Sequence, residues 1–172
     1  MAEKRYHMRR AEKEITDEKE IREVIAGQEF MTLAMCSGGS PYLATVNYAF
    51  DPKSGTFYFH CARKGRKSEV IESNPEVWGQ VLEDGGYIEG KCDYAYRSVH
   101  FWGKAEAVTA LREKRAALEL MLQKLEKNPE AAKRKFINDG SLREVMIYRV
   151  RAEGFTGKKS IRPRASGARA SC

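Results

Sequence analysis

The stretch that decides the fold is NYAFDPKSGTFYFHCARKGRKSEVIESNP, residues 47–75. It predicts a strand, a turn at Pro52–Gly55, a second strand over Thr56–Cys61, and then a cation-rich loop that leads into a short helix. Four cations crowd this loop around Gly65, namely Arg63, Lys64, Arg66 and Lys67. A helix start presents unpaired N–H groups and the positive end of the helix dipole, and a glycine lets the backbone approach a ligand closely. The loop therefore indicates a phosphate-binding site.

The alternative for Arg66 and Lys67 is a solvated helix start without a ligand. Cations at a helix N-terminus oppose the helix dipole, typically by roughly a few tenths of a kcal/mol. Four cations clustered at that end gain nothing electrostatically unless an anion joins them. We therefore predict that Arg66 and Lys67 bind a phosphate, and that Arg63 and Lys64 are charges at the rim of the site.

The chain is basic but otherwise has the composition of a globular protein. Its 172 residues are 42% hydrophobic and 32% charged, with a formal net charge of +7. This length suits one domain with its own core. No apolar run reaches the ~20 residues of a membrane helix, and the opening MAEKRYHMRRAEKE lacks the apolar core of a signal peptide. We expect a cytoplasmic protein with no membrane partner.

The four cysteines are scattered without a CxxC pair, at Cys36, Cys61, Cys92 and Cys172. This spacing argues against a zinc or iron–sulfur site, so we predict no metal, and it fits a reducing compartment. Part of the positive charge lies in KKSIRPRASGAR, residues 158–169, which hold five cations and no acid. That segment lacks the interleaved aromatic side chains that stack on nucleic-acid bases. We therefore do not expect a nucleic-acid partner.

Hydrophobic periodicity predicts a small antiparallel barrel with helices at its edges. The predicted strands are Phe30–Met35, Pro41–Phe50, Thr56–Cys61, Glu76–Glu83, Tyr94–Val108 and Glu144–Arg151. Helices are predicted from a cap at Thr16 or Asp17 to Gly27, over Leu111–Lys127, and after Pro129. Asp84–Cys92 is glycine-rich and predicts a loop or a wide hairpin, while Gly103 predicts a bend in the long strand. These elements give a flexible arm over residues 1–14, one domain over 15–157 and a basic tail over 158–172.

Several local motifs, taken in order, resemble the FMN-binding split barrels of the pyridoxamine 5′-phosphate oxidase-like superfamily, and most closely its nitroimidazole-resistance (Nim-type) branch. The motifs are Gly39-Ser40-Pro41-Tyr42, residues 46–51, residues 57–62 leading into Gly65-Arg66-Lys67, Asn74-Pro75, residues 96–99 running into Gly103-Lys104-Ala105, and Thr156-Gly157-Lys158. Together they span roughly residues 8–160. The resemblance implies a mainly β, antiparallel split barrel with peripheral helices and FMN as its cofactor.

The resemblance also implies a homodimer with two FMN sites at the subunit interface. The residues that it assigns to the cofactor are Thr45, Val46, Asn47, His60, Arg66, Lys67, Arg97 and Ser98. The first three belong to the strand that runs along the flavin ring, largely through backbone groups, and His60 lies where the next strand reaches the cofactor. The basic pair matches the residues that hold the phosphate, and Arg97-Ser98 lies beside the phosphate and the ribityl chain.

For three of these residues the chemistry leaves other interpretations open. His60 is also compatible with a buried, hydrogen-bonded histidine, and related split barrels bind haem, so a haem ligand is a further alternative. Asn47 suits either a flavin carbonyl or the neighbouring strand. Ser98 suits either a phosphate oxygen or an ordinary polar position in a strand.

The predicted function is that of an FMN-dependent oxidoreductase, in which the flavin carries the hydride or electron chemistry. A reduced nicotinamide donor and a small, nitro-aromatic acceptor are the expected substrates. No side chain stands out as a general acid or base, so no catalytic residue is predicted, and the final part of the chain lacks the Trp and Arg pattern expected for oxidation of vitamin B6. The alternatives are a flavin- or haem-binding carrier or sensor without catalysis, and a basic nucleic-acid-binding barrel.

Overall fold

The computed structural model describes residues 8–161 and shows a largely antiparallel sheet with five helices around it. The strands are β1 (Glu14–Ile15), β2 (Phe30–Ser37), β3 (Ser40–Asn47), β4 (Ala49–Asp51), β5 (Thr56–Cys61), β6 (Glu76–Ile88), β7 (Asp93–Ala107), β8 (Met146–Arg151) and β9 (Gly154–Ser160). The helices are α1 (Glu18–Gly27), α2 (Arg66–Ser73), α3 (Leu111–Leu125), α4 (Pro129–Phe136) and α5 (Asp139–Glu144). Within residues 8–161, no helix is long and apolar enough to span a bilayer.

Strand β7 organises the barrel because it changes partners along its length. The strand order is β3-β2-β6-β7-β8-β5-β4, and β9 pairs with both β7 and β1. Up to Trp102, which lies opposite Gly154, β7 pairs with β9. From Ala105, which lies opposite Val150, it pairs with β8. The sheet thus divides beyond Trp102 without closing, and the predicted split-barrel fold is confirmed.

The predicted bend at Gly103 coincides with this change of partner. A Cβ atom at Gly103 would collide with the backbone carbonyl oxygen of Arg151 and press on a methyl group of Val150. Glycine therefore lets β7 cross the end of β8 closely enough to join both parts of the sheet.

The core fills the space between the two parts of the sheet and is built around aromatic rings. Phe57 stacks on Phe101 with ring centroids 3.8 Å apart, and Phe50 lies 4.6 Å from Phe57. Along β3 side chains alternate between two faces: Val46 is buried, whereas Leu43 is 65% exposed on the opposite face. Strand β3 thus has an inner face toward the core and an outer face.

The structure selects between two predicted alternatives and corrects one prediction. Asp84–Cys92, predicted as a loop or a wide hairpin, is part of a hairpin: β6 stays paired with β7 through Ile88, past a bulge between Asp84 and Gly86. Glu144–Arg151 is not the last strand, since β9 follows the slightly shorter β8, and α5 lies before it. β9, with the sequence GFTGKKS, has little intrinsic strand preference; pairing with β7 on one side and β1 on the other holds it in the sheet.

The paired strands also reach beyond the domain boundaries that the sequence predicts. Glu14, placed in the arm, lies opposite Lys158, placed in the tail. β9 continues through Ser160 against Tyr96. Residues 1–7 of the predicted arm and 162–172 of the predicted tail lie outside the described residues.

Helix α3 contacts the barrel through a partly buried lysine, Lys124. The Lys124 ammonium lies 3.4 Å from the centroid of the Tyr48 ring and donates a hydrogen bond of 3.3 Å to the carbonyl of Ile25. The Tyr48 hydroxyl donates to the same carbonyl, and burial raises the pKa of Tyr48. Burial lowers the pKa of Lys124 to about 8, although the Glu29 carboxylate opposes this shift.

We expect Lys124 to make the protein more stable as the pH rises from about 8 toward 10. The unfolded chain keeps this proton up to the ordinary pKa of 10.5, whereas the folded protein releases it near 8. Between these values the unfolded state binds more protons, so raising the pH favours folding. Urea unfolding measures the free energy of unfolding. From about pH 8 to 9.5 this free energy should rise by roughly 1 kcal/mol more for the native chain than for Lys124→Met, which is less than a fully buried group would give. Identical pH responses would contradict this assignment.

Candidate functional site

The cation-rich loop lies between the end of β5 and the start of α2. Helix α2 begins at Arg66, and Gly65 before it has no side chain to cap the first N–H groups. These groups remain available to an anion, as the sequence predicts.

Two of the loop cations are held beside aromatic rings of neighbouring strands. The Arg66 guanidinium lies 5.5 Å from the centroid of Tyr42 on β3, and the Lys67 ammonium lies 5.7 Å from that of Phe59 on β5. Within the part of the chain that the structure describes, neither cation forms an ion pair. The pair thus places uncompensated positive charge next to β3.

Arg63, which the sequence predicts as a rim charge, is held by the backbone at the end of α5. Its guanidinium donates to the carbonyls of Arg143 at 2.6 Å and Glu144 at 3.0 Å, at the C-terminal end of α5. That end carries the negative pole of the short helix, which favours a cation. Arg63 therefore anchors the loop, while Lys64 remains exposed.

Strand β3 offers a free edge next to these cations. It stands at the end of the strand order, so its edge away from β2 is unpaired among the described strands. Thr45 is exposed with its hydroxyl 3.2 Å from that of Thr32, Val46 is buried, and Asn47 donates to the Glu29 carbonyl at 3.4 Å. A free strand edge suits a flat ligand that carries its own donors and acceptors. Asn47 thus bonds to the segment just before β2. The sequence analysis left open whether it would contact a flavin carbonyl or the neighbouring strand.

His60 lies on β5 opposite Ile147, with its side chain exposed. Within the single chain His60 is therefore not buried. The side chain remains accessible to a ligand on the outside of β5.

Arg97 and Ser98 point to opposite faces of β7. The Arg97 guanidinium binds Glu83 through two hydrogen bonds of 2.9 and 2.7 Å and lies 3.8 Å from both Glu20 and Glu23 of α1. These carboxylates raise the pKa of Arg97, the hydrogen-bonded Glu83 most. Its charge is thus already compensated, and it ties β7 to α1. No contact within residues 8–161 brings Arg97 or Ser98 to the cationic loop.

Sequence reasoning missed a row of polar side chains across the outer face of the sheet. In register from β3 to β9 the row is Thr45, Thr32, Gln80, His100 and Thr156. Each strand alone shows only an ordinary polar position. The strand register that aligns them comes from pairing between distant segments, so a single sequence carries no direct signal for the row.

His100 in this row is held neutral by its neighbours. The Trp78 indole N–H donates to His100 Nδ1 at 2.9 Å, so a neutral ring carries its proton on Nε2. The Gln80 side-chain nitrogen lies 3.3 Å from Nε2, but it is also a donor and cannot accept this proton. Burial lowers the pKa of His100. Nδ1 is therefore engaged by Trp78. Among residues 8–161, no group of three or more His, Cys, Asp and Glu side chains could hold a metal ion.

These features define a class of protein, the split barrels in which an unpaired strand edge lies beside an uncompensated pair of cations at the start of a helix. The chain belongs to the pyridoxamine 5′-phosphate oxidase family, whose family model matches residues 17–159. No curated protein gives a significant match.

Solved structures share this fold. A candidate 5-nitroimidazole antibiotic resistance protein from Bacteroides thetaiotaomicron is 25% identical, with 84% of this chain and 85% of that chain covered and a TM-score of 0.71. The flavocytochrome Anf3 from Azotobacter vinelandii is 15% identical over 94% and 76% of the two chains, with a TM-score of 0.80. The FAD and haem binding protein from Mycobacterium smegmatis is 14% identical over 89% and 77%, with a TM-score of 0.73.

Proposed function

We propose that the protein is an FMN-dependent oxidoreductase that passes reducing equivalents from NADH or NADPH to a small nitro-aromatic acceptor. The observation that carries this proposal is the uncompensated pair Arg66 and Lys67 at the start of α2, beside the free edge of β3. Family membership supports a flavin, and the similarity to the Bacteroides protein supports the acceptor.

The residues present fit FMN. Arg66, Lys67 and the first N–H groups of α2 would hold the phosphate, because charge-assisted hydrogen bonds to phosphate are strong. The β3 backbone over Thr45–Asn47 would align the ring, and His60 would approach it from β5. When bound, the flavin supplies the hydride and electron chemistry. The chain's own tasks are to bind, orient and enclose it, which agrees with the absence of a predicted acid or base.

We propose a homodimer as the functional unit. Large apolar side chains lie exposed along strands β2, β3, β6 and β7, namely Phe30 at 55%, Leu43 at 65%, Leu82 at 49% and Tyr94 at 43%. Large apolar side chains exposed on several neighbouring strands favour a protein interface. A second subunit would also supply Ser98 to a site that one chain leaves open. The free cysteines Cys36, Cys61 and Cys92 fit a reducing, cytoplasmic compartment.

Sedimentation velocity of the purified protein, followed at both protein and flavin wavelengths, tests the cofactor and the dimer together. We expect flavin absorbance to sediment with a species of twice the chain mass. Anaerobic addition of NADPH or NADH should bleach the flavin bands, and a nitro-aromatic compound should restore them. Flavin that sediments with the protein but resists reduction by either donor would favour a carrier or sensor.

The absorption spectrum of the same purified protein also tests for haem, which gives a Soret band. Two of the similar structures are a flavocytochrome and a protein that binds FAD and haem. Of the two histidines that the structure describes, His100 has its Nδ1 bonded to Trp78, whereas the side chain of His60 is exposed. A Soret band without flavin bands would contradict the proposed oxidoreductase.

A further inference from the structure

Two cations from distant parts of the chain meet at the C-terminal end of α5. The last carbonyls of a helix have no partner inside the helix, so they need donors from elsewhere. The Lys114 ammonium of α3 donates to the carbonyls of Leu142 at 3.1 Å and Val145 at 2.7 Å. The Arg63 guanidinium donates to the two carbonyls between these. Four consecutive carbonyls therefore accept hydrogen bonds from two cations, and the negative end of the helix dipole favours both.

Lys114 makes this end of α5 a fixed point of the fold. Its ammonium is buried, and a buried charge needs hydrogen-bond partners such as these carbonyls. Leu142 of α5 is buried as well. Helix α3 itself packs on the sheet, because Ala117 and Met121 belong to one apolar cluster with Ile147 of β8. Contacts other than those of Arg63 thus hold α5 against the sheet.

The loop between β5 and α2 is exposed over residues 62–65. The Ser68 hydroxyl of α2 donates to the Ala62 carbonyl at 3.4 Å, which is a long hydrogen bond. Arg63 brings two shorter hydrogen bonds, of 2.6 and 3.0 Å, to a fixed part of the fold. It precedes Arg66 by three residues, so this attachment lies directly before the cation pair.

We propose that Arg63 is a positioning residue for the phosphate site, which holds Arg66 and Lys67 where the phosphate of FMN would meet them. This inference rests on the proposed function, because it concerns the same site. Without its anchor the loop would sample other arrangements, and the apparent affinity for a ligand falls with the fraction of molecules that are competent to bind it. Arg63 uses its donors on α5 and acts through the other two cations. The helices α3 and α5 thereby support the cofactor site.

Three substitutions separate the position of the loop from its charge. Arg63→Met removes the charge and the donors together. Arg63→Gln removes the charge but keeps a donor, because the glutamine nitrogen stands at the same place along the side chain as arginine Nε, which donates to Glu144. Lys64→Met removes a charge from the next, exposed position and is the matched control.

Fluorescence titration of the cofactor-free variants with FMN and with riboflavin measures the effect. We expect Arg63→Met to weaken FMN about fivefold to tenfold and riboflavin less than about twofold, as when roughly a tenth to a fifth of the loops remain competent for phosphate. Arg63→Gln and Lys64→Met should each weaken FMN less than about threefold, because exposed charges are screened. Equal FMN losses in Arg63→Gln and Arg63→Met would show that Arg63 acts through its charge. Equal losses of both flavins would show a general effect on the fold, and either result overturns the inference.

Hydrogen exchange of the flavin-free protein tests the anchor without the cofactor. Amides of residues 62–73 should exchange at least about threefold faster in Arg63→Met than in the native chain or in Lys64→Met, because local opening becomes easier. Unchanged exchange would overturn the inference. A native chain that binds FMN no better than riboflavin would overturn both the phosphate site and the positioning role. If the native chain prefers FMN but Arg63→Met behaves like Lys64→Met, the positioning role alone is wrong.

Discussion

Lys67→Ala is expected to raise the dissociation constant of FMN about tenfold to hundredfold. Losing one hydrogen bond to a charged group costs about 1.5–3 kcal/mol, which corresponds to that range of affinity. Riboflavin lacks the phosphate, so its weaker binding should barely change. Fluorescence titration of both flavins into the cofactor-free variant measures the two constants under one set of conditions.

The fold should survive this substitution. Lys67 forms no ion pair within the described residues, and its recorded partner is the ring of Phe59 at 5.7 Å. Lys64→Ala removes the same charge from an exposed position in the same loop, and we expect less than about a threefold change in FMN affinity because exposed charges are strongly screened. Equal losses of FMN and riboflavin in Lys67→Ala would show that Lys67 acts through the structure rather than through the phosphate.

The local part of this site could be predicted from the sequence. One short stretch, within ten residues, encodes the start of α2, the glycine before it and the cations around it. The alternation along β3 is local in the same way, because every second side chain of the strand faces the core. Family motifs then identify the split barrel, as the family match confirms.

The parts that escaped prediction depend on contacts between distant segments. The contacts of Arg97 with Glu83, Glu20 and Glu23 are an example, since two of those acids belong to a helix more than 70 residues earlier. Its assignment to the cofactor comes from the resemblance alone and stays a prediction. The direction of Arg63 depends on α5, which propensity did not reveal. Strand β9 is stabilised by its two neighbours rather than by its own composition. The polar row appears only once the strand register is known.

Gly103→Ala is expected to destabilise the protein by about 2–3 kcal/mol, near the upper end for an overpacked site. The added methyl group would meet the Arg151 carbonyl oxygen, which is backbone and cannot rotate away as a side chain can. Either β8 must move from β7, or β7 must lose its simultaneous pairing with β9 and β8. Urea unfolding monitored by far-UV circular dichroism gives the change in free energy.

Gly27→Ala provides the matched control, because a Cβ atom there meets nothing within 4 Å. Alanine in a helix is favoured over glycine by roughly 0.5–1 kcal/mol, so this variant should be at least as stable as the native chain. If Gly103→Ala were equally harmless, β7 would not need close approach to change partners, and the split of the sheet would have to originate elsewhere along β7. If Gly103→Ala is destabilising as expected, Gly103 is the position that lets β7 pair with β9 before it and with β8 after it. Because this division leaves the barrel open, the edge of β3 stays unpaired.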